Sequence, residues 1–287
     1  RFYDAGEIAS LDWDGKKLRP PNALIHGQKI DLLIADLTTG FHGHQNFLDF
    51  PRAFACVATD LESGEAVYMT HGSLSKSIRA SLSLPSIFDP VTINNRVLVD
   101  GGLVQNMPVE LARKLGADIV IAVKLPSPLR PRTELNSLID IAEQSRQILS
   151  LEQEIRQSGL ADIVVVPDVS HVGLLEFDEI SEIRNRGFEA VMLRQYTLEN
   201  LTGNATSNRT PSLAVATPIK AEEYVLGNVV VVGSDIIDDE RGLWLLKLEK
   251  GDVFQAKNVS RRVMEIAGRG ISRKITYELL LSKYEQA

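Results

Sequence analysis

Val97-Leu98-Val99-Asp100-Gly101-Gly102 carries a short apolar run straight into a carboxylate followed by two glycines. The apolar residues predict a buried strand, and the glycines let the chain turn sharply where the strand stops. A carboxylate at that point is held rigidly from behind and left uncrowded ahead, which suits it to orient or deprotonate a nucleophile. Taken alone, Asp-Gly-Gly is also ordinary turn chemistry. Downstream, Pro108 suits a first helical position, Glu110 favours the positive helix end, Leu111 and Leu115 share a face, and Gly116 supplies a stop. These signals predict a helix over 108–115. Ile119-Val120-Ile121-Ala122-Val123 is then a continuous apolar run of the kind found in strands covered on both faces, which points to a parallel sheet.

Upstream of the central turn, Ala55-Cys56-Val57-Ala58-Thr59 predicts a buried strand, and a turn over 60–65 leads to a second strand over 66–69, together a hairpin. A compact helix is expected over 75–83, closed by Pro85, with Phe88 and Pro90 in a rigid loop. Ahead of residue 46 the sequence is mixed, and only 29–37 reads as a short helix. In the other direction a long helix over 134–157, a strand over 163–166 closed by Pro167 and a helix over 180–198 repeat the alternation, so the fold class is α/β. Gly, Asn, Ser, Thr and Pro crowd 202–218, a predicted linker. Beyond it a strand over 222–232, helices over 241–249 and 258–267 and a strand over 271–281 predict a small α+β module over 219–287.

Composition narrows the functional classes. The 287 residues are 44% hydrophobic and 24% charged, which excludes disorder, and the net charge of −7 argues against nucleic acid as a partner. Cys56 stands alone, without the paired spacing of a zinc or redox motif. No stretch reaches the roughly 18 to 20 apolar residues needed to span a bilayer. His42 and His44, with His26 and His71 elsewhere, invite a metal reading, but no carboxylate or cysteine is spaced convincingly for zinc; surface-loop histidines and no metal are expected. The cluster Lys257, Arg261, Arg262, Arg269, Arg273 and Lys274 could face anionic headgroups, although a solvated helix face balanced by nearby acids is the plainer expectation.

Three blocks carry a family resemblance: residues 54–64, Phe-Ala-Cys-Val-Ala-Thr-Asp-Leu-Glu-Ser-Gly; residues 77–90, Ser-Ile-Arg-Ala-Ser-Leu-Ser-Leu-Pro-Ser-Ile-Phe-Asp-Pro; and residues 99–109, beginning Val99-Asp100-Gly101-Gly102. In type, order and spacing this resembles the second half of a patatin-like phospholipase domain, over roughly residues 45–200. The resemblance implies a three-layer α/β/α sheet, incomplete at its N-terminal side, in a domain over 1–201. It also implies a lipid acyl hydrolase with a serine and aspartate dyad, in which Asp100 is the general base and Gly101 and Gly102 complete the motif. Leu84, Ile87 and Phe88 would supply an apolar wall for an acyl chain. The substrate would be a phospholipid or other lipid ester at a membrane surface, and such a dyad requires no metal or cofactor.

No Gly-x-Ser-x-Gly elbow and no glycine-rich oxyanion loop occurs in the 287 residues. Both are expected upstream of Arg1, and the segment as it stands is expected to be inactive. Gly72-Ser73-Leu74-Ser75 lacks the second glycine, so Ser73 and Ser75 read as helix entry or capping residues. The last module, with Val229-Val230-Val231-Val232-Gly233 and Gly268-Arg269-Gly270, resembles a POTRA domain lacking its final strand. Patatin followed by POTRA resembles the patatin-containing autotransporters. That implies a bacterial exported protein at the outer membrane, periplasm or cell surface, with a barrel or secretion machinery as partner. The competing expectation is a non-catalytic secretion scaffold acting through the POTRA-like module.

Overall fold

The computed structural model describes residues 12–13, 18–19, 27–85, 87–126, 128–172, 177–204, 224–232, 237–268 and 275–280. The chain gathers into two compact units. One comprises Arg1–Ser63, Val67–Asp100 and Ser212–Ala287, the other Gly64–Ala66 and Gly101–Pro211.

In the first unit a ribbon of β1 (Asp12–Trp13) and β2 (Leu18–Arg19) precedes helix α1 (Gln28–Thr38). The expected hairpin forms as β3 (Cys56–Asp60) and β4 (Ala66–Met69), and α2 (Leu74–Ser81) follows with Ser73 capping it by accepting the Lys76 N–H. Strand β5 (Val91–Ile93), where only a loop is predicted, turns through Asn94 and Asn95 into β6 (Arg96–Asp100). Both asparagines have positive φ, 49° and 64°, the conformation of a two-residue hairpin turn that asparagine tolerates better than most residues. The sheet order is β4-β3-β6-β5, with β6 antiparallel to both neighbours. Ala58, Met69, Ala80 and Leu98 bury a core between this sheet and α2.

The C-terminal residues belong to the same unit. Helices α7 (Asp239–Leu246) and α8 (Ala256–Gly268) occupy the two predicted helical stretches. Their core of Tyr224, Phe254, Val259 and Val263 is completed by Leu32 from α1. The two flanking strands are not found among the described residues. Leu226 and Phe254 donate into main-chain bonds that tie the 224–226 segment to the 252–254 loop instead. Ile275 N–H goes to the Gln28 side chain at 2.7 Å and Leu279 N–H to His42 Nδ1 at 3.2 Å, so side chains on or just beyond α1 take donors that a strand partner would need. The predicted linker lies outside the described residues except for its first three positions, which end a helix.

In the second unit α3 (Val109–Lys114) begins one residue later than expected, with Pro108 at its N-cap. Strands β7 (Ile121–Val123) and β8 (Ile163–Val165) pair in parallel, in register Ile121↔Ile163. Burial departs from expectation: Val120 and Ala122 are buried, while Ile121 and Val123 are 51% and 59% exposed, so within this unit β7 is covered on one face only. Between the strands runs α4 (Leu138–Ser158), whose start is fixed by a reciprocal capping box of Ser137 and Asp140. The single helix predicted over 180–198 is two, α5 (Ile180–Met192) and α6 (Gln195–Asn204), which together with β8 bury Ile163, Val165 and Ala190. Among the described residues, hydrogen bonding groups the strands of this mixed α/β chain into a four-stranded sheet and two two-stranded sheets.

Candidate active site

Asp100 is the last residue of β6 and faces Ala58 of β3 across the antiparallel ladder. Its main chain is held at both ends. Asp100 N–H donates to the Ser83 carbonyl at 3.0 Å, and the Thr59 hydroxyl donates to the Asp100 carbonyl at 2.9 Å. The residue is half-buried, and the chain then enters a 3-10 turn over Gly101–Leu103 in which both glycines are buried. Val104 and Gln105 N–H groups both donate to the Gly101 carbonyl, at 3.1 and 2.8 Å, which fixes the turn. A half-buried carboxylate on a doubly anchored strand end has the rigidity that a general base requires.

Behind Asp100 lies a charge pair that local sequence patterns do not reveal. Arg79 of α2 and Asp31 of α1 are both buried, with Arg79 Nε donating to Asp31 Oδ1 at 2.5 Å. Arg79 Nη1 also donates to the Ser83 hydroxyl, which in turn donates to the Arg79 carbonyl at 2.8 Å. Phe88 lies against the same guanidinium, its ring centroid 5.3 Å from the central carbon. Neither Asp31 nor Arg79 stands out in the sequence, because Lys29 and Asp36 accompany Asp31 within 29–37 and Lys76 accompanies Arg79 within 75–83. Of the acyl-wall residues proposed from sequence, Ile87 and Phe88 are buried and Leu84 is half-buried, and the Leu84 carbonyl accepts from the N–H groups of the other two.

The remaining candidates fall elsewhere. His42 corrects the expectation of a surface-loop histidine, because it is buried. Its Nδ1 accepts the Leu279 N–H, so the ring proton sits on Nε2, 3.1 Å from the Thr38 hydroxyl, and burial holds its pKa below the usual value. Cys56 has its thiol pushed up to about 12 by burial, which keeps it protonated and unreactive at neutral pH. Arg261 and Arg262 both pair with Glu265, at 2.7 and 3.1 Å, as a balanced helix face would. Arg269, Arg273, Lys274 and His26 lie outside the described residues.

Residues 3–113 match the family model of the patatin-like phospholipases. The match therefore spans the β3 to β6 sheet, α2 and the Asp100 turn, and reaches back through an N-terminal stretch where composition alone predicts little. An uncharacterized NTE family protein of Mycobacterium bovis is 28% identical over 204 residues, covering 63% of this chain and 34% of that protein. An uncharacterized NTE family protein of Mycobacterium tuberculosis is 37% identical over 75 residues, covering 26% of this chain and 21% of its own length. A lysophospholipase of Aspergillus niger is 33% identical over 85 residues, covering 30% of this chain and 6% of its own. The chain spans about a third of the length of the first of these relatives. Residues 3–113 are thus similar to the patatin-like phospholipases, and a longer stretch of the chain is similar to NTE family proteins. These matches do not support the POTRA resemblance or an autotransporter architecture.

Proposed function

We propose that the protein is a serine-dependent lipid acyl hydrolase in which Asp100 is the general base. The observation that carries this reading is the fixed placement of Asp100 at the end of β6, anchored through both its N–H and its carbonyl and followed by two buried glycines, within the family match. On this reading the nucleophile is a serine, which the patatin-like resemblance places on a Gly-x-Ser-x-Gly elbow that comes before the Asp100 motif in chain order. Its hydroxyl passes its proton to the Asp100 carboxylate as the oxygen attacks the ester carbonyl, and the proton is returned to the departing alcohol as the acyl-enzyme forms. Water then attacks the acyl-enzyme, with Asp100 taking its proton and giving it back to the serine. A glycerophospholipid or lysophospholipid ester is the substrate this reading favours, the latter because one relative bears the name lysophospholipase.

The test is hydrolysis of fluorogenic phospholipid and lysophospholipid by the natural full-length protein and its Asp100→Asn variant. Turnover lost in the variant supports the reading; turnover retained contradicts it. An exported location rests on the POTRA resemblance alone, and fractionating the native cells tests it.

A further inference from the structure

We infer that Arg79 is a positioning residue for Asp100, acting through Ser83; this rests on the reading of Asp100 as the base. The contacts form one chain inside a single compact unit. Asp31 holds Arg79, Arg79 Nη1 holds the Ser83 hydroxyl, and the Ser83 carbonyl accepts the Asp100 N–H at 3.0 Å. Ser83 has no exposed surface and returns a hydrogen bond to the Arg79 carbonyl, so residues 79 and 83 are locked to each other at the end of α2. The surroundings are shaped to the guanidinium. Phe88 packs against it, and Gly27, at φ +74°, sits where a Cβ would stand 2.8 Å from Nη2.

Stability alone is a poor reason for such a pair. Buried ion pairs are often matched or exceeded by well-packed apolar residues, because desolvation offsets the attraction. What an apolar pair could not do is reach from α1 to the end of α2 and fix the carbonyl that holds Asp100. The arginine fork matters here: it serves Asp31 from Nε and Ser83 from Nη1, two directions that a lysine ammonium cannot match with the same geometry. A base displaced by a fraction of an ångström loses rate without losing substrate affinity.

The test uses the natural full-length protein with Arg79→Lys, Ser83→Ala and Asp100→Asn. Turnover of a short-chain p-nitrophenyl ester is measured, together with hydrogen exchange at the Asp100 amide. Arg79→Lys keeps the charge and its partner, and Ser83→Ala removes only a hydroxyl, so both are expected to fold. The inference expects kcat to fall about tenfold to a hundredfold in each with KM within about twofold, and Asp100 amide exchange to quicken about tenfold. Unchanged exchange in the folded variants, or unchanged kcat, overturns it. Wild-type turnover in Asp100→Asn instead defeats the base reading, and the exchange rates still report whether Arg79 holds that amide.

Discussion

Asp31 and Arg79 carry opposite charges where little water reaches, so each compensates the other's loss of hydration. Asp31→Ala therefore leaves an uncompensated buried cation and is expected to destabilise the protein by about 3–5 kcal/mol in urea unfolding. Replacing both, as Asp31→Leu with Arg79→Met, is expected to recover most of that loss. His42 gives a pH dependence of definite sign. Burial lowers its folded pKa against the raising influence of Glu278 and Asp36, while the unfolded chain takes up a proton near the ordinary value of about 6.5. The unfolded state thus binds more protons as pH falls through that value. The contribution is fully present above it and declines below it, levelling off under the folded pKa. The urea midpoint is expected to drop between about pH 7 and 5.5, and to drop less in His42→Gln. The strand end at Asp100 and the tight turn after it were legible because strand, carboxylate and glycines are contiguous. The Asp31–Arg79 pair was not, since its members lie 48 positions apart and only folding joins them.

At the level of elements, alternation and punctuation located most helices and the β3, β4, β6, β7 and β8 strands, because each signal is local. The β5 and β6 hairpin shows what was overlooked: Asn94-Asn95 between β-branched runs is turn chemistry, but without a glycine it reads as loop. The turn can be probed directly. Asn95, at φ 64°, is expected to gain a few tenths to about 1 kcal/mol on Asn95→Gly and to lose more than about 1 kcal/mol on Asn95→Val, measured by thermal unfolding. Among the described residues, 224–232 and 275–280 form none of the strands predicted over 222–232 and 271–281, for a different reason. Their alternating pattern is real, yet the available hydrogen-bond partners are loop carbonyls and the Gln28 and His42 side chains, which no local pattern reveals.

Across the whole molecule, the two compact units do not follow the order of the sequence. The first gathers residues from both ends of the chain, and Tyr224 donates to the Thr39 and His42 carbonyls at 3.1 and 3.2 Å. Phe254, 2% exposed, sits in the core that Leu32 completes. Phe254→Ala is expected to cost about 3–5 kcal/mol and to quicken hydrogen exchange in α1 as well as α8, whereas an independent C-terminal module would leave α1 unaffected. The resemblance to the patatin-like phospholipases was legible from three blocks of residues, but the grouping of the described strands into sheets and the one-sided burial of β7 follow from contacts that sequence does not record. In the proposed reaction Asp100 activates a serine. The most direct test is the rate at which a fluorophosphonate labels the natural full-length protein and its Asp100→Asn variant, with the labelled residue mapped by mass spectrometry. One labelled serine on a Gly-x-Ser-x-Gly elbow is expected, with labelling slowed by about a hundredfold or more in the variant. Equal rates in the two proteins, or no labelled serine, would contradict it.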